Sequence, residues 1–206
     1  MSELADAQPE SLLRQAKAGD DAALGRLLEL YRAWLVVLAR VQIGRRLQDK
    51  VDASDVAQDA CLGALRDFPQ FRGGTEPEFR AWLRQILSSL LANLVRHYQG
   101  TQRRDVRLER RLAVELEQSS QALDRGLVAP QNSPSQLAAR REQSVLLAEA
   151  LGRLPEEWRE LLILRHLEGL SFPEVAQRLG RSVDSLKKQW PRALAHLRRL
   201  LGEENR

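Results

Sequence analysis

An all-α chain, built as two small helical domains joined by a flexible linker, is what three observations predict. Leu, Ala, Arg, Glu and Gln dominate the 206 residues while Val and Ile are few. Apolar residues recur at i, i+3, i+4 and i+7, with no alternating strand pattern. Over residues 117–132 that period lapses and Ser, Gln, Gly126 and Pro130 take over, as they do in a linker. The division predicted is a first domain over 1–112, a linker over 113–132 and a second domain of four helices over 133–206.

The first helix is predicted over 10–18, stopped by Gly19. The second starts near Asp20, where Leu24, Leu27, Leu28, Tyr31, Leu35 and Leu38 recur at helical spacing, and ends near Gly44. A third follows Asp52 and ends before Pro69. It carries two stripes: Ala57, Cys61, Ala64, Leu65 and Phe68 form an apolar one, and Asp55, Gln58, Asp59, Leu62 and Arg66 a polar one with a single leucine inside it. Residues 70–78, with Gly73, Gly74 and Pro77, read as a loop. After it Phe79, Trp82, Leu83, Ile86, Leu90 and Leu94 mark a fourth amphipathic helix, with Trp82 read as core packing. Ser133, Pro134 and Gln136 combine a cap, a first-turn proline and a capping-box partner, and so open the second domain. Three more helices are expected: one after Pro155 carrying Leu161, Leu162, Leu164 and Leu167, a short one over 172–179, and a longer one over 183–200.

Charge is nearly balanced, 32 Lys plus Arg against 28 Asp plus Glu, but it is unevenly spread. The first thirty residues are acidic, whereas Arg96, Arg103, Arg104, Arg107, Arg110 and Arg111 crowd a stretch holding only Asp105 and Glu109 as acids. That asymmetry points to a polyanion partner for some faces. Cys61 is the only cysteine, which excludes an intramolecular disulfide and a cysteine-built zinc site and fits a reducing cytoplasm. The acidic amino terminus lacks a signal-peptide pattern, and no apolar run approaches a membrane span, so a cytoplasmic protein with no membrane association is expected.

The most specific signal is SFPEVAQRLGRSVDSLKKQW. Ser171 and Glu174 make a capping box, Val175, Ala176 and Leu179 a short apolar stripe, Gly180 a left-handed helix stop, and Ser182 the cap of the next helix. These are the signals of a helix-turn-helix, in which a short helix braces a second one whose first turns enter the major groove. Val183 and Leu186 would pack inward. Arg181, Ser182, Asp184, Ser185, Lys187, Lys188 and Gln189 are then placed to meet phosphates and base edges.

Taken together, these segments resemble the extracytoplasmic-function subgroup of bacterial RNA polymerase sigma factors. DASDVAQDACLGALRDFPQFRG followed by FRAWLRQIL looks like the family's polymerase-binding helix, its loop and the helix that reads the minus-10 element. LPEEWRELLILRHLEGLSFPEVAQRLGRSVDSLKK looks like its minus-35 domain, and TQRRDVR resembles a stretch found in one branch. The resemblance implies that Asp55, Gln58, Asp59 and Leu62 face the clamp helices of the largest polymerase subunit. It implies further that Arg80, Arg84, Ser88, Arg96, His97, Arg103 and Arg104 contact melted minus-10 DNA, and that the loop over 71–78 captures a flipped base. Core RNA polymerase and promoter DNA are the implied partners, with an anti-sigma protein as a further one. The implied assembly is a monomer within the holoenzyme, associated with the nucleoid, needing neither cofactor nor metal.

Three departures from the pattern stand out. Ser89 replaces the family's usual asparagine, Asn93 its usual aspartate, and Pro191 lies inside the expected recognition helix, where a kink is expected. Two further functions are weighed against a sigma factor. Enzymatic catalysis lacks a site: His97, His166 and His196 are scattered, and no HExxH, P-loop or GxSxG pattern occurs. A stand-alone helix-turn-helix regulator would share the second domain, but not the basic helix and the polar stripe of the first.

Overall fold

A computed structural model describes residues 8–46, 51–98, 106–126 and 136–204, with side chains at all of these except 45, 136–142 and 203–204. Among them every regular element is helical, as predicted, and the chain divides into two compact units, 1–117 and 118–206.

The first unit begins with α1 (Pro9–Lys17), which has proline in its first turn and buries Leu12, Leu13 and Ala16. Gly19, at φ 98°, turns the chain where an L side chain would be strained. In α2 (Asp21–Arg46), Asp20 accepts a hydrogen bond from the Ala23 amide at 3.0 Å, satisfying one of the orphan donors at the helix start. The helix outruns the Gly44 stop by two residues, and Leu27, Tyr31, Trp34, Leu35 and Leu38 form its buried spine. The third helix, α3 (Ala53–Asp67), is capped by Asp52, whose carboxylate accepts from the Ser54 amide at 2.7 Å. Its inner face is made of small residues, Ala57, Ala60, Gly63 and Ala64. They let α4 (Glu76–Tyr98) approach closely: a Cβ on Gly63 would stand 3.4 Å from the Ile86 side chain. Between α3 and α4 lie a 3₁₀ turn, Phe68–Gln70, and a short loop.

α5 (Val106–Arg125) corrects the linker expectation. Leu112, Leu116, Ser119, Ser120 and Leu123 are buried along it, so the helical period continues with serines in places where apolar residues were sought. The helix stops at Gly126, at φ 67°, and the unit boundary falls after Glu117. The expected capping box at Ser133 and Pro134 lies outside the described residues.

The second unit contains α6 (Gln136–Arg153), α7 (Glu156–Leu162) running into a π turn (Ile163–Leu167), α8 (Phe172–Leu179) and α9 (Val183–Glu204). Arg159 donates to the carbonyls of Leu151 (3.0 Å), Gly152 (3.0 Å) and Leu154 (2.8 Å) and so ties down the end of α6, where the Leu151 carbonyl also accepts from the Leu154 amide at 3.3 Å. Leu161, Leu164, Val175, Ala176 and Leu186 form a core under the helix-turn-helix. α9 continues through Pro191 without interruption, so the proline does not end the helix.

Candidate polymerase and nucleic-acid interfaces

The polar stripe of α3 survives as a surface. Asp55, Gln58 and Asp59 are exposed, and Leu62 is 55% exposed among them. Leu65, expected in the apolar stripe, is 43% exposed and joins this face, because α4 and the small inner residues of α3 already close the core without it. The outer face of α3 is therefore an acidic surface carrying two adjacent leucines, a pattern that a single buried-or-exposed reading of Leu65 missed. Cys61 is half-buried, and burial pushes its thiol above the ordinary value, as for a packing residue and not a nucleophile.

A groove of about 560 Å³ runs between α3 and α4, with Asp59, Leu62 and Arg66 on one wall and Trp82, Ser89 and Asn93 on the other. Two of the three departures from the family pattern, Ser89 and Asn93, thus stand in one exposed place on α4. Trp82 is half-buried in a cluster with Phe68, Phe71 and Phe79, and its ring centroid lies 4.9 Å from that of Phe71. It is core on one side and groove wall on the other.

The loop before α4 is held from three directions. The Glu78 carboxylate accepts from the amides of Gly74 (2.9 Å) and Thr75 (3.0 Å) and from the Thr75 hydroxyl (2.8 Å). These bonds favour the ionised form and hold Glu78 below the usual carboxylate value. Lys17 donates to the Gly73 carbonyl at 2.7 Å, and Gly73 presses on the Phe71 ring so closely that a Cβ would lie 2.4 Å from it. α4 starts at Glu76, so residues 76–78 of the expected loop are its first turn.

The predicted minus-10 residues do not share one surface. Arg80 is buried: its side chain is 3% exposed, 3.7 Å from the Glu76 carboxylate, with the guanidinium 4.9 Å from the centre of the Trp34 ring. Ser88 is also buried, its hydroxyl donating to the Gln85 carbonyl at 2.9 Å. Both face inward because α4 turns its Phe79, Leu83, Leu87 and Leu91 stripe to the core and positions 80 and 88 border it. As placed, neither can reach a nucleic acid. The Glu76–Arg80 spacing of four was the signal for an internal pair. Arg84 is paired with Glu117, leaving its side chain 15% exposed. Arg96, bonded to Asn93 and to the Ala92 carbonyl, and His97 lie in the last turn, His97 in the open. Arg103 and Arg104 lie outside the described residues.

The helix-turn-helix is built as the sequence predicts. Ser171 and Glu174 cap each other (Ser171 amide to Glu174 carboxylate, 2.6 Å), which holds Glu174 below the usual carboxylate value through the Ser171 hydroxyl and amide. Gly180 adopts φ 63°, and the Ser182 hydroxyl accepts from the Ser185 amide at 3.2 Å. Leu186 is fully buried and Val183 partly so, which turns Asp184, Lys187 and Lys188 to solvent. Behind the motif the Arg165 guanidinium stacks over Phe172 (4.6 Å) and Trp190 (5.8 Å), joining the π turn to both helices. Arg181 and Gln189 are half-buried and bonded to each other at 3.2 Å, and Arg181 also pairs with Glu157 at 2.6 Å. Glu157, remote in sequence from the motif, gave no signal of this role.

Comparison with known proteins matches both units. The Sigma-70 region 2 profile covers residues 27–101, and the Sigma-70 region 4 profile covers residues 144–197. The ECF RNA polymerase sigma factor SigD of Mycobacterium tuberculosis is 29% identical over 189 residues, 92% of this chain and 82% of that one. The RNA polymerase sigma factor CnrH of Cupriavidus metallidurans is 29% identical over 94% of each chain. The solved structure of CnrH in complex with the cytosolic domain of CnrY, at 26% identity, covers 94% of this chain and 97% of that one with a TM-score of 0.34. With a region 2 and a region 4 in that order, and full-length likeness to ECF relatives, this chain belongs to the extracytoplasmic-function group of bacterial RNA polymerase sigma factors.

Proposed function

We propose that the chain, as an alternative sigma factor that binds core RNA polymerase and directs it to promoters, divides this work between its two units. The acidic, leucine-bearing face of α3 grips the polymerase. The outward side of α4, with Gln85, Ser89, Asn93, Arg96 and His97 together with the loop before it, meets melted minus-10 DNA. Arg181, Ser182, Asp184, Ser185, Lys187, Lys188 and Gln189 meet the minus-35 duplex. The units divide after Glu117, so the minus-10 residues belong to 1–117 and the minus-35 residues to 118–206.

The observation that carries this reading is the exposure of Leu62 and Leu65 on an otherwise charged helix face. Large apolar side chains at the centre of a polar surface are what a docking partner desolvates. A stand-alone regulator is not favoured, because nothing in that role uses a region 2 fold. No described helix is long and apolar enough to cross a membrane, and association with the nucleoid is part of the proposal, since the proposed partner works on DNA. An anti-sigma protein that covers these same faces is a further proposed partner.

The test is a core RNA polymerase pull-down with the Asp59→Arg, Leu62→Glu double variant, beside promoter-dependent run-off transcription. Core binding and transcript should be lost while helicity by circular dichroism is kept. Unchanged affinity would remove the α3 face from the interface. In the second unit, Lys187→Ala or Lys188→Ala should each flatten the slope of log affinity against log salt by ~0.9, the value for one neutralised phosphate.

A further inference from the structure

The side-chain network behind the recognition helix bears on which bases it reads. Arg181 sits in the turn of the helix-turn-helix and bridges two partners: one terminal nitrogen lies 2.6 Å from a Glu157 carboxylate oxygen on α7, and the other donates at 3.2 Å to the amide oxygen of Gln189 on α9. Gln189 in turn donates from its amide nitrogen to the Ser185 hydroxyl at 3.5 Å. An arginine offers only donors, so it is the oxygen of Gln189 that faces it, and the amide nitrogen faces the other way.

A glutamine that recognises adenine needs both ends of its amide at once, the oxygen for the adenine amino group and the nitrogen for N7. Here the oxygen is turned to a cation. A second lone pair remains on it, but an adenine or cytosine amino group arriving there meets the guanidinium's own N–H donors, and donor faces donor. A guanine edge, with O6 and N7 both acceptors, or a thymine O4, meets no such conflict. We propose that Glu157 and Arg181 form a clasp that fixes Gln189 as a donor-only reader, selecting acceptor-rich base edges and rejecting adenine. Glu157 is the positioning residue: it touches no base, and it holds Arg181 where Arg181 can hold Gln189. The inference rests on the minus-35 reading of the second unit.

The experiment is selection of duplexes randomised across the minus-35 element by holoenzyme reconstituted with full-length chain. The variants are wild type, Gln189→Ala, Arg181→Ala, Glu157→Gln, the Arg181→Ala, Glu157→Gln double and, as a control for duplex binding, Lys187→Ala, each checked for an unchanged thermal melt. Gln189→Ala should flatten preference at one base pair, which identifies the position read. At that position wild type should favour guanine or thymine on the contacted strand. Arg181→Ala should shift the ratio towards adenine by roughly 5- to 150-fold, the range of one bidentate base contact. Glu157→Gln should shift it in the same direction, and the double variant no further than Arg181→Ala, since both act through one route. A merely structural role for Glu157 would lower stability without moving the ratio.

Adenine preferred by wild type at the Gln189 position overturns the clasp, as does an unmoved ratio in either Arg181→Ala or Glu157→Gln, while the minus-35 reading stands. If Gln189→Ala alters preference nowhere but Lys187→Ala still weakens binding, Gln189 reads no base and the clasp falls alone. If no variant, including Lys187→Ala, changes duplex selection at all, the reading of the whole second unit falls with it.

Discussion

Replacing Arg80 by alanine separates a structural arginine from one that contacts DNA. The side chains of Arg80 and Glu76 are 3% and 8% exposed, and the Tyr31 hydroxyl donates to the same carboxylate at 2.7 Å. Truncating one partner of a buried pair leaves the other charge desolvated and costs about 3–5 kcal/mol, a figure that here includes the stacking over Trp34. For a unit of this size each kcal/mol lowers the melting temperature by ~4–8 °C, so the transition of the first unit in the full-length protein should fall by roughly 12–40 °C. Against a total of about 10 kcal/mol, the middle of the usual range, the unit remains folded at room temperature, which allows binding to be measured on the same variant. Scanning calorimetry of the full chain reads the first quantity. The salt dependence of holoenzyme binding to a pre-melted minus-10 strand reads the second, where an arginine that neutralises a phosphate would, on removal, flatten the slope by ~0.7. Adding Glu76→Gln should recover part of the stability, because the stranded carboxylate is then neutral. A melting temperature within about 2 °C of wild type, together with a flattened slope, would refute the buried assignment.

Three further outcomes follow from local geometry. Gly180→Ala, at φ 63°, should cost about 1–2 kcal/mol and lower the second unit's melting temperature, and Gly180→Asn should cost less; equal stability of all three would show that the turn tolerates any residue. Pro191→Ala restores an amide to the interior of α9 and should stabilise that unit by roughly 1–2 kcal/mol, the ~3 kcal/mol helix penalty less the ~1 kcal/mol that proline saves by restricting the unfolded chain; a lower melting temperature would count against it. Glu78 is held below the usual carboxylate value by the Gly74 and Thr75 bonds, so its contribution is present above the ordinary glutamate value and is lost as pH falls through the lowered one. The gap in melting temperature between wild type and Glu78→Gln should therefore hold near neutrality and close in acid; a gap independent of pH would mean that the charge is not what matters.

The parts of the fold that were legible in the sequence are those whose signals are local. The Ser171–Glu174 box, Gly180, the Ser182 cap and the inward Leu186 all act within one or two turns, and all are where the sequence puts them. α5 was misread past residue 117 because buried serines at 119 and 120 carry a helical period that hydrophobicity alone does not register. The exposed face of α3, proposed to meet the polymerase, was legible as a stripe, but the placement of Leu65 depended on how closely small residues let α4 approach, which is a tertiary quantity. Arg80 and Ser88 failed for a different reason. A family pattern assigns positions along a helix, while burial depends on where the helix rolls, and here both border the core stripe of α4. Glu157 was invisible because its partner Arg181 lies in a turn 24 residues further along the chain, and no local pattern joins them.

The half-buried indole of Trp82 has an optical consequence. The four tryptophans fall two to each unit, and in the first unit Trp34 is fully shielded, so solvent-sensitive emission there comes from Trp82. Its ring lies against Phe71, the residue that Gly73 braces in the loop before α4, and its other side lines the groove shared with Ser89 and Asn93. Any strand that enters the groove, or any base that displaces Phe71, changes the polarity around that one ring. With the second unit's Trp158 and Trp190 replaced by phenylalanine, the protein carries an unlabelled fluorophore beside the surface proposed to meet minus-10 DNA, and stopped-flow emission can time the arrival of a strand there without any dye on protein or DNA.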